Sequence, residues 1–304
     1  MLVPEPGLPA AVTIYEVGPR DGLQNEKEVV PLEVKAEFVR RLVAAGLPVV
    51  EATSFVHPRW VPQLADAAEL MTELGEAGRD LPVLVPNERG LDRALELGLR
   101  HVAVFASATE TFATKNLNRS YDDQFAMFEP TITRALDAGL DVRGYLSMCF
   151  GDPWEGAVPL DAVVTAGRRL LDLGVGQLSL GDTIGTGTAG HVTALVQAFV
   201  DAGVGVDRLA LHFHDTYGQA LSNVQAGLRA GVTTFDASAG GLGGCPYAKS
   251  ATGNLATEDV VWLLTGLGID HGVDLDAVVA TSVWMAGHLD RPSPSAVVRA
   301  LSSR

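Results

Sequence analysis

The sequence predicts a single (β/α)8 barrel, a TIM barrel of the α/β class. Short apolar runs alternate with longer amphipathic segments along almost the whole chain, in eight strand–helix pairs. No Pro-, Ser- or Gly-rich linker divides the 304 residues, which favours one domain over two. A doubly wound open sheet is the alternative, but the even number of pairs and the chain length favour the barrel.

The predicted strands are rich in β-branched and apolar residues, and most end at a polar residue or a glycine. They span residues 12–17, 48–54, 81–87, 101–107, 141–148, 177–183, 208–215 and 233–239. The clearest helices each end at a glycine, as helices commonly do; they cover residues 31–46, 160–174, 218–231 and 255–268. We therefore expect an N-terminal tail (1–11), a catalytic barrel (12–270) and a C-terminal helical segment packed on the barrel (271–304).

The composition excludes several classes of partner. Hydrophobic residues make up 47% and charged residues 19%, which is typical of a globular chain with a large core. The net charge of −15 argues against nucleic acid or an anionic membrane as a partner. No apolar run is long enough to span a bilayer, and the N-terminus lacks the character of a signal peptide. The two cysteines are far apart, so we expect no disulfide framework and a cytoplasmic protein.

Functional-looking residues lie in or after five separate predicted strands. The active site of a (β/α)8 barrel forms at the carboxyl-terminal ends of its strands, so these residues should converge there. They are Glu16, Arg20, Asp21, Gln24 and Lys27 after the first strand, Glu51 in the second, Asp182 in the sixth, His212, His214 and Asp215 in the seventh, and Cys245 and Asn254 after the eighth.

The run LHFHD at 211–215 indicates a metal site. Alternate residues of a strand share a face, so His212 and His214 should point the same way, towards the barrel axis. Two such imidazoles need either hydrogen-bond partners or a metal. Asp21 supplies a carboxylate and Asn254 an amide oxygen, a set that suits Mg²⁺ or Mn²⁺ better than Zn²⁺ or Fe²⁺. The alternative for Asp21 is a turn cap before Gly22.

Four further residues carry both a functional and a structural interpretation. Arg20 could stabilise a negative oxygen that develops during a reaction, or form a structural salt bridge. Glu51 and Asp182 could handle protons near a metal, or hold a basic side chain. Cys245 lies in a glycine-rich loop, where a thiol with a pKa of ~8.5 is a competent proton donor. Such a loop can also close over a substrate. Cys149 is expected to be a small buried residue.

Five motifs together resemble the 3-hydroxy-3-methylglutaryl-CoA lyase family of metal-dependent barrel lyases. They are EVGPRDGLQNE at 16–26, EATSFVHPRWVPQ at 51–63, LGDTIGTGT at 180–188, HFHDTYGQAL at 212–221 and GGLGGCPYAKSATGNLATED at 240–259. The first motif is shared in part with Claisen-type synthases and biotin-dependent carboxyltransferases, whereas the cysteine loop is more specific to the lyases. The resemblance covers residues 12–290 and implies a (β/α)8 oxo-acid-lyase of EC class 4.1.3.

The resemblance implies cleavage of 3-hydroxy-3-methylglutaryl-CoA into acetyl-CoA and acetoacetate, a step of leucine degradation and ketone-body formation, by a homodimer. It implies Asp21, His212, His214 and Asn254 as ligands of a divalent cation, Mg²⁺ or Mn²⁺. It implies substrate contacts from Arg20, Gln24 and Lys27, and catalytic roles for the set Arg20, Cys245, Glu51, Asp182 and Glu258. Arg20 matches the residue beside the enolate oxygen, and Cys245 matches the thiol that transfers a proton.

One stretch departs from the pattern of the family. The run SMCFGDPWEG after the fifth strand has Asp152 and Trp154 where a cysteine and a tyrosine are expected. A longer or differently branched 3-hydroxyglutaryl-CoA is therefore an alternative substrate. A Claisen-type synthase is a second alternative, and a non-catalytic acyl-CoA-binding barrel is a third. An acyl-CoA partner requires a local basic patch, for which the candidates are Lys27, Lys115, Arg119, Arg143 and Lys249.

Overall fold

The computed structural model describes residues 2–244 and 253–302, and in this part of the chain all the strands belong to one parallel sheet. The sheet follows the order β2-β1-β9-β8-β7-β6-β5-β4-β3. Its strands are β1 (Thr13–Glu16), β2 (Val49–Val50), β3 (Thr53–Ser54), β4 (Val83–Leu84), β5 (His101–Ser107), β6 (Asp141–Ser147), β7 (Gln177–Asp182), β8 (Leu209–Phe213) and β9 (Thr234–Ala237). Most bounds match the sequence prediction closely; the segment 81–87 contains a much shorter strand.

The two outermost strands of this order, β2 and β3, are parts of the predicted second strand. β2 pairs with β1, and β3 pairs with β4. Between β2 and β3 the backbone hydrogen bonds pass from one neighbouring strand to the other. Glu51 N donates to Glu16 O of β1 at 2.8 Å, and Ala52 N donates to Pro82 O, just before β4, at 2.9 Å. The segment therefore acts as one strand that joins both edges of the sheet. The predicted (β/α)8 barrel is confirmed.

Helices cover the outside of the barrel. They are α1 (Leu32–Ala44), α2 (Ala67–Leu74), α3 (Glu88–Glu96), α4 (Glu110–Leu117), α5 (Tyr121–Asp137), α6 (Leu160–Asp172), α7 (Ala189–Asp201), α8 (Ala220–Arg229), α9 (Thr257–Leu267), α10 (Leu275–His288) and α11 (Ala296–Leu301). The end of α1 shows why glycine follows it: Gly46 has a φ of +87°, and a Cβ there would lie 2.4 Å from Gly272 O. In the described part of the chain, no helix has the length and apolar character to cross a membrane.

The main hydrophobic core lies between the strands and the helices. Leu178 of β7 and Phe199 of α7 are fully buried there. Gly167 of α6 packs so closely against both that an added Cβ would lie 2.7 Å from each. The helices therefore hold the strands by tight apolar packing, and the inside of the barrel is left for other side chains.

The inside of the barrel contains both apolar and charged side chains. Leu84, Ala103 and Tyr145 form a small apolar group. The Arg143 guanidinium of β6 lies 4.7 Å from the centroid of the Tyr145 ring and reaches Asp236 of β9, with which it is buried. Because buried charges need partners, the interior depends on ion pairs of this kind.

The segment after the barrel packs on its outside. Asp274 N, just before α10, donates to Ala45 O at 2.8 Å, next to the end of α1. Ser295 Oγ, just before α11, donates to Asp259 Oδ1 of α9 at 2.7 Å. These bonds connect the C-terminal helices to both α1 and α9.

Candidate active site

A cavity of about 640 Å³ opens at the carboxyl-terminal ends of the strands, where barrels of this kind place their active sites. Five predicted site residues line it: Arg20, Asp21, Gln24, His212 and His214. They come from the segment after β1 and from the end of β8, more than 180 positions apart in sequence. The structure therefore brings the two most informative motifs to one wall.

A π-helical turn, Gly18–Gly22, presents Arg20 and Asp21 to the cavity. Its wide geometry is visible in the bond from Gly22 N to Val17 O, at 3.1 Å. Gly18 is required at its start, because a Cβ there would lie 2.6 Å from Glu16 Oε1. Turns of this type widen a helix locally and are frequent at functional sites.

Asp21, His212 and His214 form a cluster that could hold a metal ion. One ligand atom from each lies within 4.8 Å of the others, and the two imidazole centroids are 5.2 Å apart. Asn254 joins this cluster through Nδ2, which donates to Asp21 Oδ2 at 2.8 Å. Three of the four predicted ligands thus form the cluster, and the fourth contacts it.

Two atoms of this cluster lack the partners that buried polar atoms require. Among the described residues, neither His214 Nδ1 nor Asn254 Oδ1 has a hydrogen-bond partner, although both are buried. Such atoms cost free energy unless something satisfies them. Imidazole nitrogens with carboxylate and amide oxygens are a donor set that divalent cations accept. The residues present therefore fit a divalent cation.

The electrostatics of the cluster also suit a cation. Burial alone would raise the pKa of Asp21, but the Arg20 guanidinium and the two imidazoles lower it to about 2. Burial, together with the neighbouring His212, lowers the pKa of His214 to about 4. At neutral pH Asp21 is therefore ionised and His214 is a neutral imidazole with a lone pair available, as a metal ligand must be.

Arg20 links the cluster to Glu51. Its Nη1 donates to Asp21 Oδ1 at 2.6 Å, and its Nε donates to Glu51 Oε2 at 2.7 Å. Tyr145 OH donates to the same Glu51 oxygen at 2.9 Å, and the Arg20 guanidinium lies 5.1 Å from the Tyr145 ring centroid. Burial raises the pKa of Glu51, and Arg20 offsets this only in part. These contacts hold the planar guanidinium at the cavity wall.

Two of the predicted catalytic carboxylates mainly bond backbone groups. The oxygens of Asp182 accept from Thr186 N and Gly187 N, each at 2.9 Å, and burial raises its pKa to about 6. Glu258 accepts from Gly240 N at 3.0 Å and from the Ser282 hydroxyl. In the described residues these contacts hold the loops after β7 and β9, and neither carboxylate belongs to the cavity wall.

Of the remaining predicted residues, some lie in the described part of the chain and others do not. Gln24 lines the cavity, whereas Lys27 is exposed and lies outside the wall formed by the described residues. Cys245 and Lys249 lie outside the described residues. Gly244, which precedes Cys245, lines the cavity, and its carbonyl accepts from Asn25 Nδ2 at 3.1 Å.

The residues that sequence reasoning missed lie inside the barrel. Tyr145 contacts both Arg20 and Glu51, and Asp236 contacts His212. Arg143, considered as a candidate for binding CoA, is instead paired with Asp236. The alternation of Arg143 and Tyr145 along a predicted strand was the available signal, since such spacing places polar side chains on one face.

Comparison with known proteins gives one consistent family. A family model described as HMGL-like matches residues 11–284. The hydroxymethylglutaryl-CoA lyase of Arabidopsis thaliana, described as mitochondrial, is 50% identical over 299 residues, which are 98% of this chain and 64% of that protein. The chain thus spans about two thirds of the length of the plant protein, and the match extends over nearly all of its own length.

Two solved structures agree with the sequence comparison. The HMG-CoA lyase of Bacillus subtilis has a TM-score of 0.94 and 42% identity, covering 99% of this chain and 100% of that one. An HMG-CoA lyase of Acinetobacter baumannii in complex with coenzyme A and 3-methylmalate has a TM-score of 0.90 and 33% identity. It covers 96% of this chain and 95% of that one.

Proposed function

The chain belongs to the HMGL-like family, and we propose that it is a lyase that cleaves 3-hydroxy-3-methylglutaryl-CoA into acetyl-CoA and acetoacetate. The observation that carries this proposal is the Asp21–His212–His214 cluster, which stands beside the Arg20 guanidinium in the barrel cavity. Relatives with the same overall fold are named as lyases of this substrate. They favour this activity over the alternatives of a synthase or a non-catalytic barrel.

The family is metal-dependent, and the residues that would hold the ion are Asp21, His212, His214 and Asn254. Their mixture of imidazole and hard oxygen donors favours Mg²⁺ or Mn²⁺. When bound, such a cation lowers the pKa of a coordinated hydroxyl and polarises a carbonyl. This is the help that a tertiary alcohol needs to lose its proton near neutral pH.

The bond changes follow from the substrate. Loss of the proton from the C3 hydroxyl lets the C3 oxygen become the ketone of acetoacetate while the C2–C3 bond breaks. The electron pair of that bond passes to C2 and is delocalised onto the thioester oxygen as an enolate. A proton added to C2 then gives acetyl-CoA. The protein must therefore accept one proton, stabilise one oxyanion and donate one proton.

We assign the oxyanion to Arg20. Its guanidinium is permanently charged, and two carboxylates fix its plane before any substrate arrives. A donor fixed in this way needs little reorganisation as charge develops on the thioester oxygen, and one such donor is typically worth about 10²–10³ in rate. We assign to Cys245 the donation of a proton to C2. This rests on the resemblance to the family and on the sequence position of Cys245, directly after Gly244 of the cavity wall.

The outer part of the cavity offers a place for the CoA moiety. Lys115 and Arg119 line it there, and they supply positive charge on a chain whose net charge is −15. The Lys115 ammonium lies 5.1 Å from the centroid of the Trp154 ring. Local basic groups of this kind attract phosphates even on an acidic protein. We propose that this rim binds the anionic end of CoA.

The unusual run after β6 builds this rim rather than the reaction centre. Asp152 Oδ1 accepts from Trp154 N at 2.7 Å, and Asp152 Oδ2 accepts from Thr109 Oγ1 at 2.6 Å. These bonds fix the turn that carries Trp154 next to Lys115. The substitution relative to the family pattern therefore changes a support of the outer wall, and the reaction centre around Asp21 remains intact.

We also propose that the protein acts as a homodimer in the cytoplasm. Curated relatives include both mitochondrial and cytoplasmic forms, so kinship is compatible with either compartment. The presence of only two, widely separated cysteines favours a reducing compartment.

The test is cleavage of 3-hydroxy-3-methylglutaryl-CoA by protein freed of metal with a chelator and then supplied with Mg²⁺ or Mn²⁺. We expect acetoacetate only when an ion is added. His214→Gln should lose this response, whereas the control His101→Gln, which changes a partly exposed imidazole paired with Asp141, should keep it. Cleavage that survives complete chelation would exclude the metal. Cleavage of a longer branched thioester alone would change the substrate and leave the mechanism unchanged.

A further inference from the structure

The wall of the cavity continues inward into an ion pair that none of the predicted roles explains. Arg143 Nη2 donates to Asp236 Oδ1 at 2.6 Å, and the Arg143 guanidinium lies 3.8 Å from the centroid of the Tyr15 ring. The side chain of Asp236 is completely buried. Replacing a buried ion pair with apolar residues is often neutral for stability. Stability alone therefore does not explain the presence of this pair deep in the barrel.

The second oxygen of Asp236 faces a proposed metal ligand. His212 Nδ1 lies 3.2 Å from Asp236 Oδ2, and Ser179 Oγ donates to the same oxygen at 2.8 Å. Asp236 is ionised beside Arg143 and offers only acceptor positions. His212 Nδ1 must therefore carry the hydrogen, so that Nε2 keeps its lone pair for the cluster with Asp21 and His214.

We propose that Asp236, held by Arg143, is the positioning residue that sets the tautomer and ring orientation of His212 for metal binding. This inference rests on the proposed metal site of the lyase. Carboxylates that accept from the outer nitrogen of a metal-binding histidine raise the basicity of the ligand and orient its ring. The geometry of β8 and β9 supplies this contact directly, because His212 and Asp236 are paired residues of adjacent strands.

The other histidine of the cluster has no such support. Among the described residues, His214 Nδ1 has no hydrogen-bond partner, and the His214 backbone forms an isolated bridge with Asn254. The two imidazoles therefore differ: a carboxylate contacts Nδ1 of His212, whereas Nδ1 of His214 has no partner among the described residues. A change at Asp236 should disturb His212 and leave His214 in place.

An asparagine at position 236 separates this role from a purely structural one. Its amide has one acceptor and one donor end. Arg143 Nη2 donates to Oδ1 at 2.6 Å, whereas Arg143 Nη1 reaches Oδ2 only at 3.3 Å. The acceptor should therefore remain at the shorter contact, and the donor should turn to His212. His212 would then have to accept at Nδ1 and carry its hydrogen on Nε2, which points a proton at the metal position. A wrong tautomer of this kind inactivates an otherwise intact histidine.

The experiment measures Mn²⁺ binding to chelator-treated Asp236→Asn by calorimetry, with the wild type beside it. We expect the Kd for Mn²⁺ to rise about 10–100-fold, the usual loss when such a partner is removed. The matched control is Asp66→Asn, which removes the charge of the partly exposed carboxylate that pairs with the buried Lys35, away from the cavity. Asp66→Asn should lower stability and leave the Kd unchanged. An unchanged Kd in Asp236→Asn would overturn the proposal.

A measurement on the wild type keeps the proposal testable if Asp236→Asn does not fold. Nitrogen-15 spectra of the Mg²⁺-loaded protein, assigned to His212 by comparison with His212→Gln, should show the hydrogen on Nδ1. A hydrogen on Nε2 would overturn the proposal. Parallel assays of 3-hydroxy-3-methylglutaryl-CoA cleavage by the wild type separate the two proposals. A wild type that binds Mn²⁺ but does not cleave this substrate would count against the proposed function and would leave the result on the His212 tautomer valid.

Discussion

Two groups of carboxylates in and around the barrel are satisfied in opposite ways. In the first group, Asp21 and Asp236 each accept a hydrogen bond from an arginine. In the second group, Glu16 accepts from Gly18 N and Ala239 N, and Glu258 accepts from Gly240 N. The second group bonds neutral donors, and the first bonds cations.

For these four carboxylates, the difference in partners accompanies a difference in pKa; Glu51 is a mixed case, because burial raises its pKa and Arg20 offsets this only in part. The pKa of Asp236 lies below its ordinary value because Arg143 and His212 outweigh the effect of burial. Burial raises the pKa of Glu16 to about 7 and that of Glu258 to about 8, since hydrogen bonds from backbone and hydroxyl groups offset burial only in part. Burial alone therefore says little about function. The arginine-paired group is equipped for chemistry, and the other group holds backbone in place.

The largest expected effect comes from removing an arginine of the first group. Arg20→Gln should lower kcat about 10²–10³-fold, because the developing enolate loses its charged donor. It should also cost about 3–5 kcal/mol of stability, because Glu51 is left buried without its cation. Steady-state kinetics and urea unfolding measure the two effects separately.

The double variant Arg20→Gln/Glu51→Gln tests whether these two losses have different causes. Removing the unpaired carboxylate should restore much of the stability, while kcat stays low. If kcat recovered together with stability, Arg20 would be a structural residue only.

In the second group, replacing Glu258 by alanine and replacing it by glutamine should have different effects on stability. Glu258→Ala leaves Gly240 N and the Ser282 hydroxyl without their acceptor, at a cost of about 1–3 kcal/mol in unfolding free energy. Glu258→Gln keeps an acceptor and resembles the protonated acid, so its stability should be close to that of the wild type at about pH 4 or below, before the unfolded wild-type chain releases this proton. Equal losses in both variants at that pH would show that an amide cannot replace the protonated acid as the acceptor.

The pH dependence of the same pair gives a sharper test. The pKa of Glu258 is about 8 in the folded protein, against 4.5 as its ordinary value. Between these values the folded protein holds a proton that the unfolded chain releases, so its stability falls as pH rises through this window. Glu258→Gln cannot lose that proton. The urea midpoint of Glu258→Gln should therefore rise relative to wild type between about pH 5 and pH 8, and a constant difference would contradict the shift.

The smallest effect is expected for an exposed pair. Arg134 donates to Glu88 and Asp92 on the outer helices, and its side chain is 42% exposed. Water screens such pairs, so Arg134→Ala should change the unfolding free energy very little and leave kcat unchanged. If Arg134→Ala lowered the unfolding free energy as much as Glu258→Ala, the exposure of an ion pair would be a poor guide to its contribution to stability.

Much of the fold could be read from the sequence, because barrel strands are apolar and helices end at glycines. The strand at 101–107 coincides with its prediction, and the pairing of His212 with His214 followed from alternation along a strand. The interruption after Val50 could not be predicted, since it depends on which neighbouring strand each amide reaches. For the same reason the role of Asp236 could not be predicted, because it depends on contacts with Arg143 and His212 on other strands.

Asp182 and Glu258, two predicted catalytic carboxylates that mainly bond backbone groups, show a second limit. Motif position places both near the site, and the neighbours of Asp182, Gly181 and Thr183, do line the cavity. Which way each side chain turns is decided by the nearest free backbone N–H, such as those of Thr186 and Gly240. A linear pattern contains no information about those contacts.

The interrupted strand also marks where the barrel should open first. Strands β5 and β6 pair along all seven residues, whereas β2 and β3 contribute two residues each to the seam that closes the barrel. Amide hydrogens at 49–54 should therefore exchange with solvent sooner than those at 141–147. Glu51 lies at this seam and holds Arg20, so local opening there would release the guanidinium while the other strands remain paired. Catalysis should consequently fail at a lower urea concentration than the loss of helical structure.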